Sequence, residues 1–384
     1  MATNPFDLYN VERVLRTLPN GRSTSWRMLD ADGRAFVAKA LDIAPPPARV
    51  KKWMSANWPG VLLPTSLAPD EDGEGAFSLR DWIEGLPFSE IMARRTVLPS
   101  EMEARREFAG ICDALQRFHS AGEVHGAIRP SNILFTAEGI RLTDPDPLQP
   151  TNADPYYTKS RDEVVFSAIE HLNPEAWLEK KQLPASDIYS LASIYVHWVT
   201  GAPPFPGDYP VLVCYQHLGH TTAIEPSRLI SPYMAEVLNR ALDKNPLSRF
   251  EDAREFARAL REGLRETESG LDTSTAAMVR DSSPELWRPE ETRTVLFRRH
   301  EIELGAMLAS QYPDLPVDDA RARLLDALGD PFERAPIPIV RPGQAASAAA
   351  PEGRGLPMPK STPRKATPPE PEAEAVAPAA PRRE

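Results

Sequence analysis

The sequence predicts an α+β chain in two lobes, a β-rich N-lobe followed by an α-helical C-lobe, with a disordered Pro/Ala-rich C-terminal tail. Three observations carry this. Short apolar runs broken by turn residues fill the first hundred positions. From Glu101 apolar residues recur at three- and four-residue steps, the helical period. The 41 prolines are unevenly spread and crowd the C-terminal end. A chain of 384 residues holds one large or two ordinary domains, and 41% hydrophobic residues can build a sizeable core.

The strands are read first. "YNVERVLRTL", "WRMLDADGRAFVAKAL" and "GAFSLRDWIEG" are β-like, and Asp32-Gly33 between apolar runs signals a hairpin. In "EMEARREFAGICDALQRFHSAG", Phe108, Ile111, Leu115 and Phe118 share a helix face, and Gly122 is the stop. Further helices are expected over Ser186 to Thr200, in "SPYMAEVLNRAL" and in "FEDAREFARALREGL". Residues 265–295 are polar and read as a linker. Residues 296–330 read as short helices, with Val317, Ala320, Leu324, Leu325 and Leu328 on one face. From about Pro331 large apolar residues almost vanish after Val340, so 331–384 cannot offset its ordering entropy by burial. That tail solvates the chain or tethers it, with "PKSTPRK" as a basic docking or phospho-acceptor site.

Charge and cysteine content narrow the function classes. A formal net charge of −11 argues against a general nucleic-acid or anionic-membrane binder. Cys112 and Cys214 offer neither a disulfide framework nor a metal cluster and suit a reducing cytosol; Cys112 reads as a small buried hydrophobe. "MATNPFDLYN" lacks the basic and apolar regions of a signal peptide. "DIYSLASIYVHWVTG" is shorter than the roughly 18 to 20 apolar residues of a membrane span. The expectation is a cytoplasmic protein with protein partners and no nucleic-acid or membrane partner.

Five segments arrive in an order that resembles the protein kinase family, in particular bacterial eukaryotic-like Ser/Thr kinases, over residues 9–264. "FVAKAL" is similar to the strand carrying the ATP-binding lysine, here Lys39. "ALQRFHSAGEVHGAIRPSNILF" resembles the helix and catalytic loop of that family, and "RLTDPD" stands at the metal-binding DFG motif. "SDIYSLASIYVHWVTGAPPF" and "ALDKNPLSRFEDAREFARAL" resemble later C-lobe helices. The resemblance implies a two-lobed protein kinase-like fold. It also places specific residues. Asn132 and Asp144 match the two Mg²⁺-holding side chains; Lys39, Gly21, Trp26, Arg80, Asn132 and Asp144 are the nucleotide-binding candidates. His125 and Asp187 match the pair pinning the catalytic loop. Arg249 matches the partner of a buried glutamate, for which the spacing to Asp187 favours Glu175 and the wording "AIEH" favours Glu170.

The departures from the pattern are concentrated on chemistry. Ala127 stands at the base position and can neither accept a proton nor orient a hydroxyl, a role typically contributing about 10²–10⁴ in rate. Arg129 replaces a lysine and Gly126 an arginine. Pro145 after Asp144 favours an extended backbone there, so "DPDP" reads equally as a metal site with a misaimed carboxylate or as a rigid turn. In the glycine loop only Gly21 remains; Pro19 and Thr24 take the other places. Trp26 and Arg80, the latter at the gatekeeper position before a hinge at 81–83, are expected to crowd the adenine pocket and stack as a cation–π pair. "IAPPPARVKKWMSANWPG" holds no acid for Lys39, and its prolines shorten or displace that helix. Lys39 then binds a phosphate, reaches Asp144 or lies in solvent. The sequence thus points to a pseudokinase that scaffolds or regulates, binds nucleotide weakly or not at all, and requires no cofactor. The alternative is an atypical, low-activity Ser/Thr kinase using ATP and Mg²⁺ through Lys39, Asn132 and Asp144.

Overall fold

The computed structural model describes residues 4–17, 23–41, 47–69, 75–146, 163–178, 180–219, 223–264, 273–280 and 294–328. Gly21, Pro19, most of the expected linker and the tail 331–384 lie outside the described residues.

The N-lobe begins with a one-turn helix α1 (Pro5–Leu8), capped by the Asn4 side chain, which accepts from the Phe6 N–H at 3.1 Å. Then come β1 (Asn10–Thr17), β2 (Ser23–Leu29), β3 (Ala35–Leu41), α2 (Pro47–Met54), β4 (Val61–Leu62), β5 (Ser66–Pro69) and β6 (Ala76–Asp81). Five of these strands form one antiparallel sheet in the order β1-β2-β3-β6-β5. The β2–β3 connection is the hairpin that Asp-Gly signals. Gly33 takes φ +80°, and the Asp30 carboxylate accepts from the Asp32 and Arg34 N–H groups.

The C-lobe continues with β7 (Leu86–Pro87), α3 (Phe88–Arg94) and α4 (Glu101–Ser120). Ser100 and Glu103 close a capping box at the start of α4, each side chain bonding the other's backbone N–H, and Gly122 at φ +71° follows its end. Phe108, Ile111, Leu115 and Phe118 are fully buried, as their spacing requires. Next are β8 (Ile133–Thr136), β9 (Gly139–Thr143), β10 (Glu163–Ser167), α5 (Pro174–Trp177), α6 (Pro184–Thr200), α7 (Pro210–Leu218), α8 (Pro232–Ala241) and α9 (Ala253–Arg261). A small sheet β4-β9-β8-β7 joins the lobes under the cleft. Helix α6 is apolar nearly all round and is the axis of the core. Phe88, Phe108, Tyr195 and Trp198 interlock edge to face beside it, and the Trp198 indole N–H donates to Glu107 at 2.9 Å.

The stretch after residue 264 differs from its sequence reading. Within the expected linker, Thr273–Arg280 forms α10, because Val279 is buried on the C-lobe core and Thr275 donates to Glu107 at 3.2 Å. The run "TVLFRRHEIELGAMLASQ", which passes from the end of the expected linker into the expected short helices, splits into β11 (Thr294–Arg298) and α11 (Arg299–Gln311), followed by α12 (Val317–Leu328). Strand β11 pairs antiparallel with β10, Val164 facing Phe297 and Phe166 facing Val295 in register. Val295 and Phe297 are buried against Ile169, Trp177, Val213 and Cys214. Helix α11 lies on α7 so closely that a Cβ on Gly219 would sit 2.6 Å from the Ala309 Cβ. Ala320 and Leu324 of α12 are buried beside Leu212 and Tyr215, whose hydroxyl donates to the Leu315 carbonyl at 2.9 Å.

Candidate functional site

The loop from His125 to Asn132 hangs from one buried carboxylate. Asp187, in the first turn of α6, accepts from the His125 N–H at 2.8 Å and the Gly126 N–H at 2.9 Å. Gly126 turns there at φ +72°, a conformation costly for any side chain. The third donor to Asp187 is a residue the sequence reading missed. His119 gives its Nε2–H at 3.1 Å, a tautomer fixed because its Nδ1 accepts from the Ala253 N–H. The signal was present, since His119 follows Leu115 by one helical turn. The ring of His125 does not touch Asp187; its Nδ1 accepts from the Ala127 N–H at 3.3 Å. Burial pushes the His125 pKa down to about 4, against the pull of Asp187 and Asp144, so the ring is a neutral strut.

Asp144 directly follows β9 and takes φ +55°, so the extended backbone expected ahead of Pro145 is not what forms. The left-handed turn carries the chain into Pro145 while the Asp146 N–H donates to the His125 carbonyl at 2.8 Å, tying the turn to the loop. It also aims the carboxylate at Arg80 on β6. The guanidinium Nε meets one oxygen at 3.3 Å and Nη2 the other at 3.2 Å, with the two side chains 13% and 20% exposed. Burial alone would raise the Asp144 pKa; Arg80, Lys39 and Arg129 outweigh it and hold the carboxyl well below the usual carboxylate range. Asn132, fully buried, donates to the Ala127 carbonyl at 2.9 Å and the Asp144 carbonyl at 3.4 Å, while its Oδ1 has no hydrogen-bond partner.

That orphaned amide oxygen resembles a metal ligand without its metal. Mg²⁺ demands near-octahedral oxygen coordination, yet both Asp144 oxygens are occupied by a guanidinium. Among the described residues no group of three or more His, Cys, Asp or Glu could hold a metal. The side chains as placed therefore do not fit Mg²⁺.

The cleft beneath β1–β3 has a volume of about 560 Å³ including its mouth, lined among others by Leu15, Ser25, Val37, Arg80, Trp82 and Thr143. Trp26 is not among the lining residues. The strand register pairs Ser25 with Lys39 and Trp26 with Ala38, and side chains alternate faces along a strand. Ser25 therefore faces the cleft, while Trp26 packs edge-on to Phe6 and Phe77 on the outer face. The expected Trp26–Arg80 stack does not form; Arg27 lies over Trp82 instead, at 4.8 Å. Arg80 stays in the cleft and also donates to the hinge carbonyl of Asp81 at 3.3 Å. Lys39, Arg80 and Asp144 line a second recess behind it, closed by Val50 and Trp53 of α2. Helix α2 is short, as its prolines require, and carries no acid. Its basic face is tied to the C-lobe instead: Arg49 and Lys52 reach Glu123 at 3.4 and 2.8 Å.

The buried Glu–Arg pair is Glu175 with Arg249, two parallel bonds of 3.0 Å each, at side-chain exposures of 9% and 0%. Glu170 is not that partner; its backbone carbonyl accepts from Ser193.

This lobe arrangement, lysine strand, pinned loop and buried ion pair define a protein kinase domain. Residues 78–259 match the family model described as protein kinase domain, and over that stretch the chain carries the protein kinase family's sequence pattern. It is similar to a Ser/Thr protein kinase drp72 of Corynebacterium efficiens, 31% identical over 48% of this chain and 35% of that one. To the Ser/Thr kinase PknA of Mycobacterium tuberculosis it is 27% identical over 66% of this chain and 60% of the relative. To a probable Ser/Thr kinase PknB of Corynebacterium glutamicum it is 30% identical over 49% and 30%. The chain thus spans about a third to three fifths of the length of these curated relatives. The twitchin kinase region of C. elegans and the autoinhibited titin kinase domain share the fold. Each has a TM-score of 0.50 and 19% identity; they cover 73% and 72% of this chain, and 51% and 88% of their own. Among the described residues no helix is long and apolar enough to cross a membrane.

Proposed function

We propose that this kinase-family domain is impaired in phosphotransfer and acts in the cytoplasm as a protein-binding scaffold or regulator. The observation that carries this reading is Ala127. Phosphoryl transfer is largely positioning and electrostatics, and the loop, held rigidly by Asp187, presents a methyl group where an acceptor hydroxyl needs a carboxylate. The test is incubation of the full chain with radiolabelled Mg-ATP and generic protein substrates. No label transfer is expected, and little thermal stabilisation by Mg-ATP. Label on protein that disappears in Asp144→Asn would overturn the reading. Partner binding is tested by pull-down with and without residues 331–384; the shortened chain should fold and lose its partner.

A second reading is an atypical, low-activity Ser/Thr kinase working with ATP and Mg²⁺ through Lys39, Asn132 and Asp144. The Ser/Thr kinase relatives favour it, and on similarity alone it stands at least as well.

A further inference from the structure

The mismatch between the metal position and its surroundings has a single origin in one side chain. Arg80 sits on β6 opposite Val37 of β3, pointing into the cleft. From there its planar fork meets both oxygens of Asp144, at 3.2 and 3.3 Å. Such two-point pairing is stronger and more directional than a single contact. The guanidinium is further fixed by its bond to the Asp81 carbonyl, and the pair is largely shielded from solvent. Lys39 and Arg129 add positive charge around the same carboxylate. A divalent cation entering here would have to break two charge-assisted bonds and approach three cations. Yet the neighbouring ligand-type atom, Asn132 Oδ1, remains buried with no partner.

We propose that Arg80 is a built-in counter-ion that occupies the divalent-metal position at Asp144 and determines the refusal of Mg²⁺ and Mn²⁺ by this cleft. The fixed organic cation neutralises the carboxylate permanently, where a metal would do so reversibly. This deepens the proposed function, and the two can fail separately. Metal bound at Asp144 without phosphotransfer sinks only the inference. Phosphotransfer that survives Asp144→Asn but is lost in Lys39→Ala sinks only the proposed function.

The experiment follows free Mn²⁺ by electron paramagnetic resonance during titration of the full chain with Mn²⁺ alone. The wild type is expected to show no site dependent on Asp144. Arg80→Met should gain a site at least about tenfold tighter than any wild-type binding, a difference of about 1.4 kcal/mol. Adding Asp144→Asn to that variant should remove it. Arg80→Gln, nearly the same length and uncharged, carries the test if Arg80→Met does not fold. Mn²⁺ binding by the wild type that Asp144→Asn abolishes would overturn the inference. So would a failure of both Arg80 variants to gain a site, or a gained site that survives Asp144→Asn.

Discussion

Replacing Glu175 by Ala would leave Arg249 as a cation with no counter-charge, fully buried beneath α6. Two bonds of 3.0 Å would be lost at once. Three carbonyl acceptors would remain for the guanidinium, on Asp243, Ala185 and Lys244. Losing one partner of a buried pair typically costs about 3–5 kcal/mol. The surviving acceptors place this case at the low end, about 3 kcal/mol. For domains of about 150–250 residues each kcal/mol moves the midpoint by about 2–4 °C, so Glu175→Ala should unfold roughly 6–12 °C lower. Urea denaturation of the full chain, with a thermal scan beside it, measures both. Removing both charges tests the cause. Glu175→Met with Arg249→Met should be more stable than Glu175→Ala alone, because the desolvated cation has gone. A single variant within about 1 kcal/mol of wild type, or a double variant less stable than the single, would refute the reasoning.

Acid should destabilise the fold well above the carboxylate range. Burial drives the pKa values of His125 and His197 down to about 4, and those of His171 and His217 well below the ordinary 6.5. The unfolded chain therefore takes up these protons first as pH falls from about 6.5. Stability is full above that pH and drops toward pH 4 by up to about 1.4 kcal/mol per pH unit for each ring. Urea midpoints at pH 7.5 and 5 check this; an equal or higher midpoint at pH 5 would contradict it. Phe297→Ala should cost about 3–5 kcal/mol, the usual range for a buried Phe truncation, since its ring is 1% exposed and packs edge-on to Trp177. A urea midpoint unchanged from wild type would show that β11 is not docked on the C-lobe.

Local patterns made much of this fold legible. The Asp-Gly hairpin and the four buried positions of α4 follow from backbone chemistry and period alone. The short α2 followed from its prolines, and the missing helix acid was plain in its composition. Trp26 was misplaced because a motif alignment does not fix which face of β2 a side chain takes; a step of one residue reverses it. The Arg80–Asp144 pair was not legible because no local rule joins a strand residue to a turn 64 positions later. His119 escaped for a related reason: its position on α4 showed it would be inward-facing, but not that it would meet a carboxylate on α6. Strand β11 reads as part of a helix because five apolar-rich residues carry no period of their own, and its partner lies far upstream.

That distance matters during synthesis. Strand β10 leaves the ribosome roughly 130 residues before β11, which at ordinary elongation rates is on the order of ten seconds. The α4–α6–α9 core can close in the meantime from contacts already present. The surface of Ile169, Trp177, Val213 and Cys214 cannot, because Val295 and Phe297 complete it. Until they arrive, the nascent chain carries an apolar patch beside an unpaired strand edge, the combination most open to aggregation or to chaperone capture. The short strand β11, made long after its partner, is thus what ends this patch's period of exposure.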